Sequence, residues 1–440
     1  MKSIGQRIIA VLIVLLILGQ MLTVGISRYN SLRDRVENTG EAVELTIWYT
    51  DAKLNTFMLD AAEEYKEKTG ITVNAQLISA VDYIETISDA TFIKENGPDL
   101  FVAGSDLLQK ALYAGIVDDH VSYSEAEKDN IPQKAFDAAT CDGKLIGYPF
   151  YFESCFLLYN QYYAEDWPRN IEQILEYADG FDTTKTTEKV QNIFKWDVSD
   201  IFYNYFFIGN YVGLGGVNGD DKAQLSLSEG NVIKSLEYYQ SLNEFFAIDE
   251  ETVHNEDVIQ EFIDGKIVFT IAKTDAIARL EKAIEEGTVP EYQLEAARDE
   301  EGNEIPPREV DCFYGVGDIP NLSEGLITRG LSVTNSIVVN NYSENRAYAN
   351  DFAHYLSYER AAHLYEQTGK VSVCKNVTAG DPNWERIMVQ YAGSVEIPKI
   401  IEMSNYWILM EIAFANIWNG ADIMTEIGNV VTQMNMQLSE

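Results

Sequence analysis

Carboxylate side chains follow two of the apolar segments whose composition predicts β-strands. Asp51 comes directly after the alternating segment Glu44–Thr50, and Lys53 lies two residues further on; Asp106 follows the apolar segment Asp99–Ala103. In open α/β sheets, ligands bind beyond the carboxyl ends of the strands, so these side chains are expected to be neighbours. Each aspartate has a structural alternative, because it would also serve as the N-cap of the helix predicted after it.

Glu153 is a carboxylate within an apolar stretch of the sequence. It interrupts the aromatic, apolar stretch Tyr148–Phe156. A buried carboxylate without a partner is costly, so this position requires either a structural ion pair or a ligand that donates hydrogen bonds. Both alternatives remain open from the residues alone.

The composition excludes several classes of function. The 440 residues include 70 acidic and 32 basic side chains, for a net charge of −38, which repels phosphate backbones and predicts no nucleic-acid partner. No nucleophile-elbow, P-loop or dinucleotide-binding pattern occurs. Only four histidines are present, without metal-ligand spacing. We therefore predict no catalytic residue, no metal and no cofactor.

The N-terminus predicts an extracytoplasmic protein. Lys2 and Arg7 precede an almost uncharged run, Ile8–Ile26, which is about the 20 residues needed to span a bilayer. An uncleaved membrane anchor is favoured over a cleaved signal peptide, because a small-residue cleavage site of the usual form is absent. Residues 27–41 are polar and would form a tether.

Four cysteines are widely spaced and form no Cys-x-x-Cys motif: Cys141, Cys155, Cys312 and Cys374. An oxidising compartment would allow up to two disulfides among them, with three connectivities. Several lie among apolar residues, so buried free thiols are favoured.

Hydrophobic periodicity predicts alternating strands and helices between residues 44 and 114. The predicted elements of this part are a strand at 44–50, a helix at 54–68, a strand at 71–78, a helix from 81, a strand at 99–103 and a helix at 106–114. This alternation of strands and helices predicts a parallel sheet in a three-layer arrangement. Further predicted strands cover 144–149, 155–159, 267–271 and 332–340, and further helices cover 171–177, 232–246 and most of 407–438.

A series of short motifs resembles the extracellular solute-binding proteins of the maltose-binding type. In chain order they are Leu45–Tyr49, Glu63–Gly70, Ile71–Val73, Gly97–Val102, Leu112–Asp118, Asp142–Pro149, Glu153, Leu158–Asn160, Glu261–Lys266, Phe269–Ile271, Tyr314–Pro320, Glu396–Pro398 and Met403–Trp407. Each motif is only moderately specific, but their order and spacing agree from about residue 44 to the end.

The resemblance implies an α/β chain with a two-lobed periplasmic-binding-protein-like fold of type II, each lobe a three-layer α/β/α sandwich. Residues 1–40 would be the anchor and tether. Residues 41–151 and 331–379 would form the first lobe, and residues 152–330 and 380–440 the second. The chain would cross between the lobes near Tyr151, Gly330 and Ala379.

The resemblance also implies the ligand-binding residues. They are Tyr49, Asp51, Lys53, Asp106, Glu153, Asp200, Tyr203, Asp275, Tyr406 and Trp407. Aromatic faces would stack on sugar rings while carboxylates accept hydrogen bonds from hydroxyls. Ala103 and Asp275 stand where relatives often carry a stacking aromatic. Lys53 is the single base of this set, so an anionic ligand is disfavoured.

The function implied is that of a monomeric solute-binding component of an ABC importer, which closes over a small polar ligand, in the first place a sugar, and delivers it to a permease. Two alternatives remain. One is a ligand sensor that reports to a membrane receptor, and the other is a glycoside hydrolase, which would use paired carboxylates.

Overall fold

The structure of the protein is a computed structural model. It describes residues 43–94, 96–181, 190–227, 230–291, 297–298, 304–305 and 310–439. The predicted anchor at residues 8–26 therefore lies outside the described residues. Within the described ranges, no helix has the length and apolar character that a membrane crossing requires.

Sixteen strands occur in the described part of the chain. They are β1 (Glu44–Tyr49), β2 (Thr72–Leu77), β3 (Leu100–Gly104), β4 (Thr140–Cys141), β5 (Lys144–Leu145), β6 (Tyr148–Asn160), β7 (Asn192–Phe194), β8 (Gly213–Leu214), β9 (Leu225–Ser226), β10 (Ile267–Lys273), β11 (Ala297–Arg298), β12 (Glu304–Ile305), β13 (Tyr314–Gly317), β14 (Leu331–Val339), β15 (Val371–Ser372) and β16 (Val395–Glu396).

Sixteen α-helices lie between and after these strands in the same ranges. They are α1 (Asn55–Thr69), α2 (Tyr83–Phe92), α3 (Leu108–Tyr113), α4 (Glu125–Asp129), α5 (Gln133–Ala139), α6 (Ile171–Gly180), α7 (Ile201–Asn204), α8 (Gly230–Phe246), α9 (Asn255–Ile263), α10 (Asp275–Glu285), α11 (Arg346–His354), α12 (Ala361–Thr368), α13 (Lys375–Thr378), α14 (Pro382–Gly393), α15 (Tyr406–Trp418) and α16 (Ile423–Ser439).

The principal sheet is mixed, whereas the sequence predicted a parallel one. β1 pairs in parallel with β2 and with β3, as the alternation of strands and helices requires. β14, which returns from much later in the chain, runs antiparallel to both β3 and β6. The prediction was wrong beyond β1–β3, because local periodicity carries no information about the direction of a strand that arrives from 230 residues away.

Strand β6 connects two parts of this sheet. Its first half pairs with β14, up to Ser154 opposite Ser332. From Cys155 onward it pairs with β10, which is antiparallel to it. The sequence predicted two separate strands at 144–149 and 155–159, but the aromatic residues between them are buried and continue the ladder. The predicted lobe boundary at Tyr151 falls within this strand. The residue boundaries of the lobes stay predictions.

The side chains of β6 fill the core on both sides of that boundary. Phe152 is fully buried and stacks on Tyr391 of α14, with ring centroids 3.9 Å apart. The Tyr391 hydroxyl in turn lies 2.8 Å from Thr334 Oγ1 on β14. The contact therefore fixes α14 against both β6 and β14.

All four cysteines are free thiols, as predicted, and Cys141, Cys155 and Cys374 are buried. Burial raises the pKa of Cys141 to about 12 and that of Cys374 to about 11. Such thiols are protonated at neutral pH, and they act as small apolar side chains rather than nucleophiles.

We predict that Phe152→Ala lowers the free energy of unfolding by about 3–5 kcal/mol, because it removes a stacked ring and leaves a cavity. Chemical denaturation checks this. The control is Phe92→Ala, whose ring is 47% exposed and should contribute far less. An equal decrease in the free energy of unfolding for the two variants would show that the Phe152–Tyr391 stack stabilises the protein no more than an exposed ring does.

Candidate ligand-binding site

Lys370, which the sequence analysis did not single out, lies at the centre of the predicted site. Its ammonium group forms ion pairs with Asp51 Oδ2 at 2.7 Å and with Glu153 Oε1 at 2.8 Å. Its side chain is only 8% exposed, and Nζ lies 5.1 Å from the centroid of the Tyr151 ring. Lys370 thereby joins the loop after β1 to the middle of β6. We call Asp51, Glu153 and Lys370 the lysine clamp.

The lysine clamp keeps both carboxylates charged. Burial would raise the pKa of Glu153, but the ammonium groups of Lys370 and Lys273 outweigh it and hold the pKa below its usual value. Burial would likewise raise the pKa of Asp51, and Lys370 lowers it on balance. For Lys370, burial would lower the pKa, and the neighbouring carboxylates raise it above its usual value. The structural ion pair therefore accounts for the charge of Glu153 within its aromatic stretch.

A second lysine, Lys273, ends β10 beside the clamp. Its Nζ lies 3.9 Å from Glu153 Oε2 and 5.5 Å from the ring centroids of Phe202 and Tyr203. Asp200 precedes these two rings and caps α7 by accepting a hydrogen bond from the Phe202 N–H at 2.8 Å. Burial raises the pKa of Asp200 above its ordinary value. The charged centre thus extends from the clamp toward Asp200.

Lys53 and Asp275 approach one another from the two predicted lobes. Lys53 Nζ lies 3.8 Å from Asp275 Oδ2, and the two side chains are 58% and 32% exposed. An ion pair this exposed contributes little to stability. The other carboxylate oxygen, Asp275 Oδ1, is buried and has no hydrogen-bond partner among the described residues.

A cavity of about 50 Å³ lies where the strand ends meet, as the sequence predicted for this edge of the sheet. Thr50 and Asp51 border it after β1, Tyr151 borders it from β6 and Asn335 from β14. The hydroxyl of Tyr83, which also borders the cavity, is buried and lacks a hydrogen-bond partner in the described part of the chain.

Asp106 lies near this cavity, in a short helical turn, Ser105–Leu107, directly after β3. The Asp106 side chain is exposed, and its Oδ1 lies close to Gly104, which borders the cavity. Ser105 anchors the turn by donating a hydrogen bond of 2.7 Å to the buried carboxylate of Glu396. The turn that presents Asp106 is thus attached to β16.

The aromatic candidates are less accessible than their motifs suggested. Tyr49 is fully buried and donates a hydrogen bond to Asn55 Oδ1 at 2.7 Å. Tyr203 and Tyr406 are each 1% exposed. Trp407 is half-buried, with its ring 5.3 Å from that of Tyr205. Ligand contacts by these four side chains stay predictions, and Trp407 is the one with exposed surface to offer.

The expectation of a site with Lys53 as its only base is wrong. Lys273 and Lys370 lie among the predicted acids and offset much of their charge. For each of these two lysines, the sequence contained one indication of an unusual position. Lys273 ends an otherwise buried strand, and Lys370 follows Gly369, the left-handed residue that ends α12. Neither signal identified a partner, because both partners come from distant segments.

One group of potential metal ligands lies elsewhere. Ligand atoms of Cys141, Asp142 and Asp220 all lie within 4.8 Å of one another, and Asp220 Oδ2 accepts a hydrogen bond from the Asp142 N–H. This group is separate from the lysine clamp, and the chemistry derived for the site does not involve it.

Comparison with known proteins places this arrangement in context. The sequence model of the bacterial extracellular solute-binding proteins matches residues 60–387, about three quarters of the chain. The maltodextrin-binding protein MdxE of Bacillus subtilis (strain 168) is 19% identical over 407 residues, which cover 88% of each chain.

Solved structures show the same fold. An extracellular solute-binding protein from Staphylococcus aureus in complex with maltose has a TM-score of 0.72 and 21% identity, over 91% of this chain and 98% of that one. The maltose-binding protein MalE of Listeria monocytogenes in complex with maltose has a TM-score of 0.69 and 18% identity, over 90% and 98% of the chains. At these identities the similarity establishes the two-lobed α/β fold and leaves the ligand open.

We predict that Lys370→Met destabilises the protein by about 3 kcal/mol near neutral pH, because two partly buried carboxylates lose their shared cation. The pKa values of Asp51 and Glu153 are lowered in the folded protein, so their contribution is present above pH ~4 and is lost as the pH falls through the folded values. The difference from wild type should therefore shrink below about pH 4.

Thermal unfolding of both proteins between pH 3 and pH 8 measures this difference. The control is Lys375→Met, which removes an exposed lysine five residues away. A deficit that stayed constant as the carboxylates became protonated would contradict the charge-based account of the lysine clamp.

Proposed function

The chain belongs to the bacterial extracellular solute-binding proteins, and on that premise we propose that it captures a maltodextrin-type oligosaccharide outside the cytoplasm and presents it to an ABC importer. The observation that carries the proposal is the lysine clamp. Its two ionised carboxylates share the ammonium group of Lys370, and the ammonium group of Lys273 lies beside them, close to the strand ends where α/β folds bind ligands.

The chemistry of this centre suits a neutral polyol. Carboxylates accept hydrogen bonds from hydroxyl groups, and the ammonium groups of Lys273 and Lys370 donate to hydroxyl or ring oxygens. Tyr83 adds a buried hydroxyl that has no partner in the described residues. Opposite charges that largely compensate each other favour an uncharged ligand over an anion or a cation. The maltose and maltodextrin ligands named for the relatives belong to this chemical class.

Neither carboxylate of the lysine clamp has the protonation state that a catalytic acid needs. A glycosidase needs one carboxylic acid whose pKa is raised so that it can donate a proton. The pKa values of Asp51 and Glu153 are both lowered, with Lys370 between them. These two groups are therefore suited to accept hydrogen bonds and not to protonate a leaving group.

Closure of the two predicted lobes would be the working motion. A ligand that contacts both lobes stabilises the closed state by its additional contacts there. Lys53 and Asp275 already approach across the boundary, and β6 runs through it without interruption. A ligand hydroxyl between Lys53 and Asp275 would strengthen this bridge.

The cellular setting completes the proposal. The family is extracellular, and residues 8–26 would tether this member to the outer face of the cell membrane. The closed monomer would dock on the permease of the importer. A ligand sensor would bind the same ligand through the same residues. It would differ only in that the closed state is recognised by a membrane receptor and not by the permease.

We predict that the full chain, kept in a detergent without a sugar headgroup, binds maltose and longer α-1,4-glucans in isothermal titration calorimetry. Glu153→Gln should weaken binding by tenfold or more, because it removes a charged acceptor from the centre of the site. Trp407→Ala should weaken it several-fold through loss of an aromatic face.

The matched control for the tryptophan is Tyr342→Ala, which removes an exposed aromatic ring elsewhere. Binding should be measured well below each variant's melting temperature, since Glu153 also contributes to stability. If the wild-type protein bound an amino acid or a polyamine but no glucan, the proposed ligand would be wrong. The assignment to the family would not be affected. Glucan binding without loss of glucan uptake in a deletion strain would favour the sensor.

A further inference from the structure

A second buried group of charges lies around Glu396, apart from the lysine clamp. Glu396 ends the short strand β16, and its side chain is only 4% exposed. Lys134 Nζ lies 3.5 Å from Glu396 Oε2, and Lys399 is fully buried. Burial lowers the pKa of both lysines, and the Glu396 carboxylate opposes that shift. None of these three side chains belongs to the predicted ligand contacts.

The Glu396 carboxylate is bonded to two segments that border the cavity at the strand ends. Its Oε1 accepts a hydrogen bond from Ser105 Oγ at 2.7 Å and another from the Thr334 N–H at 2.7 Å. Ser105 follows Gly104, and Thr334 precedes Asn335. Gly104 and Asn335 are paired residues of β3 and β14, and both border the cavity. One carboxylate oxygen therefore joins the two strands immediately next to the cavity.

The other carboxylate oxygen is also occupied within the protein. Glu396 Oε2 accepts a hydrogen bond from Ser332 Oγ at 2.9 Å and faces Lys134 Nζ. Ser332 is the residue of β14 that lies opposite Glu396 in the parallel pairing with β16. Because both oxygens have protein partners and the side chain is buried, any influence of Glu396 on a ligand is indirect.

The segment that carries Glu396 continues to Trp407 and makes a second contact with the region after β3. The Ile401 N–H donates a hydrogen bond of 3.2 Å to Oε1 of Gln109, a buried residue of α3. Asp106 lies between the two contacts along the chain, one residue after the serine that donates to Glu396. Two predicted ligand contacts, Asp106 and Trp407, are therefore on segments that these hydrogen bonds hold together.

We propose that Glu396 is a positioning residue of the ligand site. It does not touch the ligand; it fixes the ends of β3 and β14 against each other and, through Ser105, the turn that presents Asp106. An ionised carboxylate suits this role, because it accepts several hydrogen bonds at once and each is stronger than one to a neutral acceptor. The proposal rests on the proposed function and adds to it the residue that shapes the site.

The first test needs no ligand. Hydrogen–deuterium exchange, read by mass spectrometry, compares the ligand-free full chain with Ser105→Ala and Glu396→Ala. We expect exchange to be about threefold faster or more in peptides covering 104–108 and 331–337, because these segments lose a shared acceptor or its donor. Peptides from α12 should exchange as in wild type and serve as the internal reference. Unchanged exchange at the strand ends in both variants would overturn the proposal.

The second test separates positioning from stability. In calorimetric titrations with maltotriose, Glu396→Ala should weaken binding about tenfold, and Ser105→Ala about threefold. Glu396→Gln should stay within about threefold of wild type, since its amide oxygen can still accept from Ser105 and from the Thr334 N–H. The glutamine variant nevertheless loses the charge opposite Lys134, so its melting temperature should fall.

The matched control is Ser357→Ala, which removes another fully buried hydroxyl, one that lies 3.4 Å from the Tyr123 hydroxyl. It should bind maltotriose as wild type does. Affinities that simply followed the melting temperatures of all four variants, or an equal loss in Ser357→Ala, would overturn the positioning role. If wild-type protein bound no glucan, the proposed function would fail by itself, and the exchange comparison would still decide whether Glu396 fixes the strand ends.

Discussion

Strand β6 imposes the constraint on which the other features depend. Its 13 residues pair first with β14 and then with β10, so a single rigid strand passes from one part of the principal sheet to the other. Glu153 lies just before that change of partner, and its side chain is only 24% exposed. A partly buried carboxylate is stabilised by neighbouring cations, and Lys370 and Lys273 provide them here.

Compensation comes from residues that are far apart in sequence. Lys370 precedes β15, which pairs with β6, and Lys273 ends β10, which also pairs with β6. Both ammonium groups therefore reach Glu153 because the strands that carry them are hydrogen-bonded neighbours of its own strand. Asp51 joins this group from the end of β1. The result is a cluster of compensated charges with remaining hydrogen-bonding capacity, which is the chemistry needed to bind a polyol without attracting anions.

The scarcity of exposed aromatic rings and the number of charged groups at the site determine how a sugar would be held. Ala103 and Asp275 offer no ring, and Tyr49, Tyr203 and Tyr406 are enclosed in the core. Hydrogen bonds must therefore supply most of the ligand contacts, with Trp407 as the exposed exception. Hydrogen bonds give direction and specificity, but each one replaces a bond to water and so has a modest net contribution. A site of this kind would gain affinity by adding hydrogen bonds along the ligand.

Much of the architecture followed from the sequence by itself. The order of β1, α1, β2, α2 and β3 was predicted, because hydrophobic period is a local property. The family was predicted from the order and spacing of short motifs along the chain. The sequence could not show that β14 runs antiparallel, that β6 is one strand, or that Lys370 and Lys273 surround Glu153. Those features depend on which distant strands pair, and pairing is decided by tertiary packing. The sequence shows that a residue is charged, but only the folded chain shows which group it pairs with.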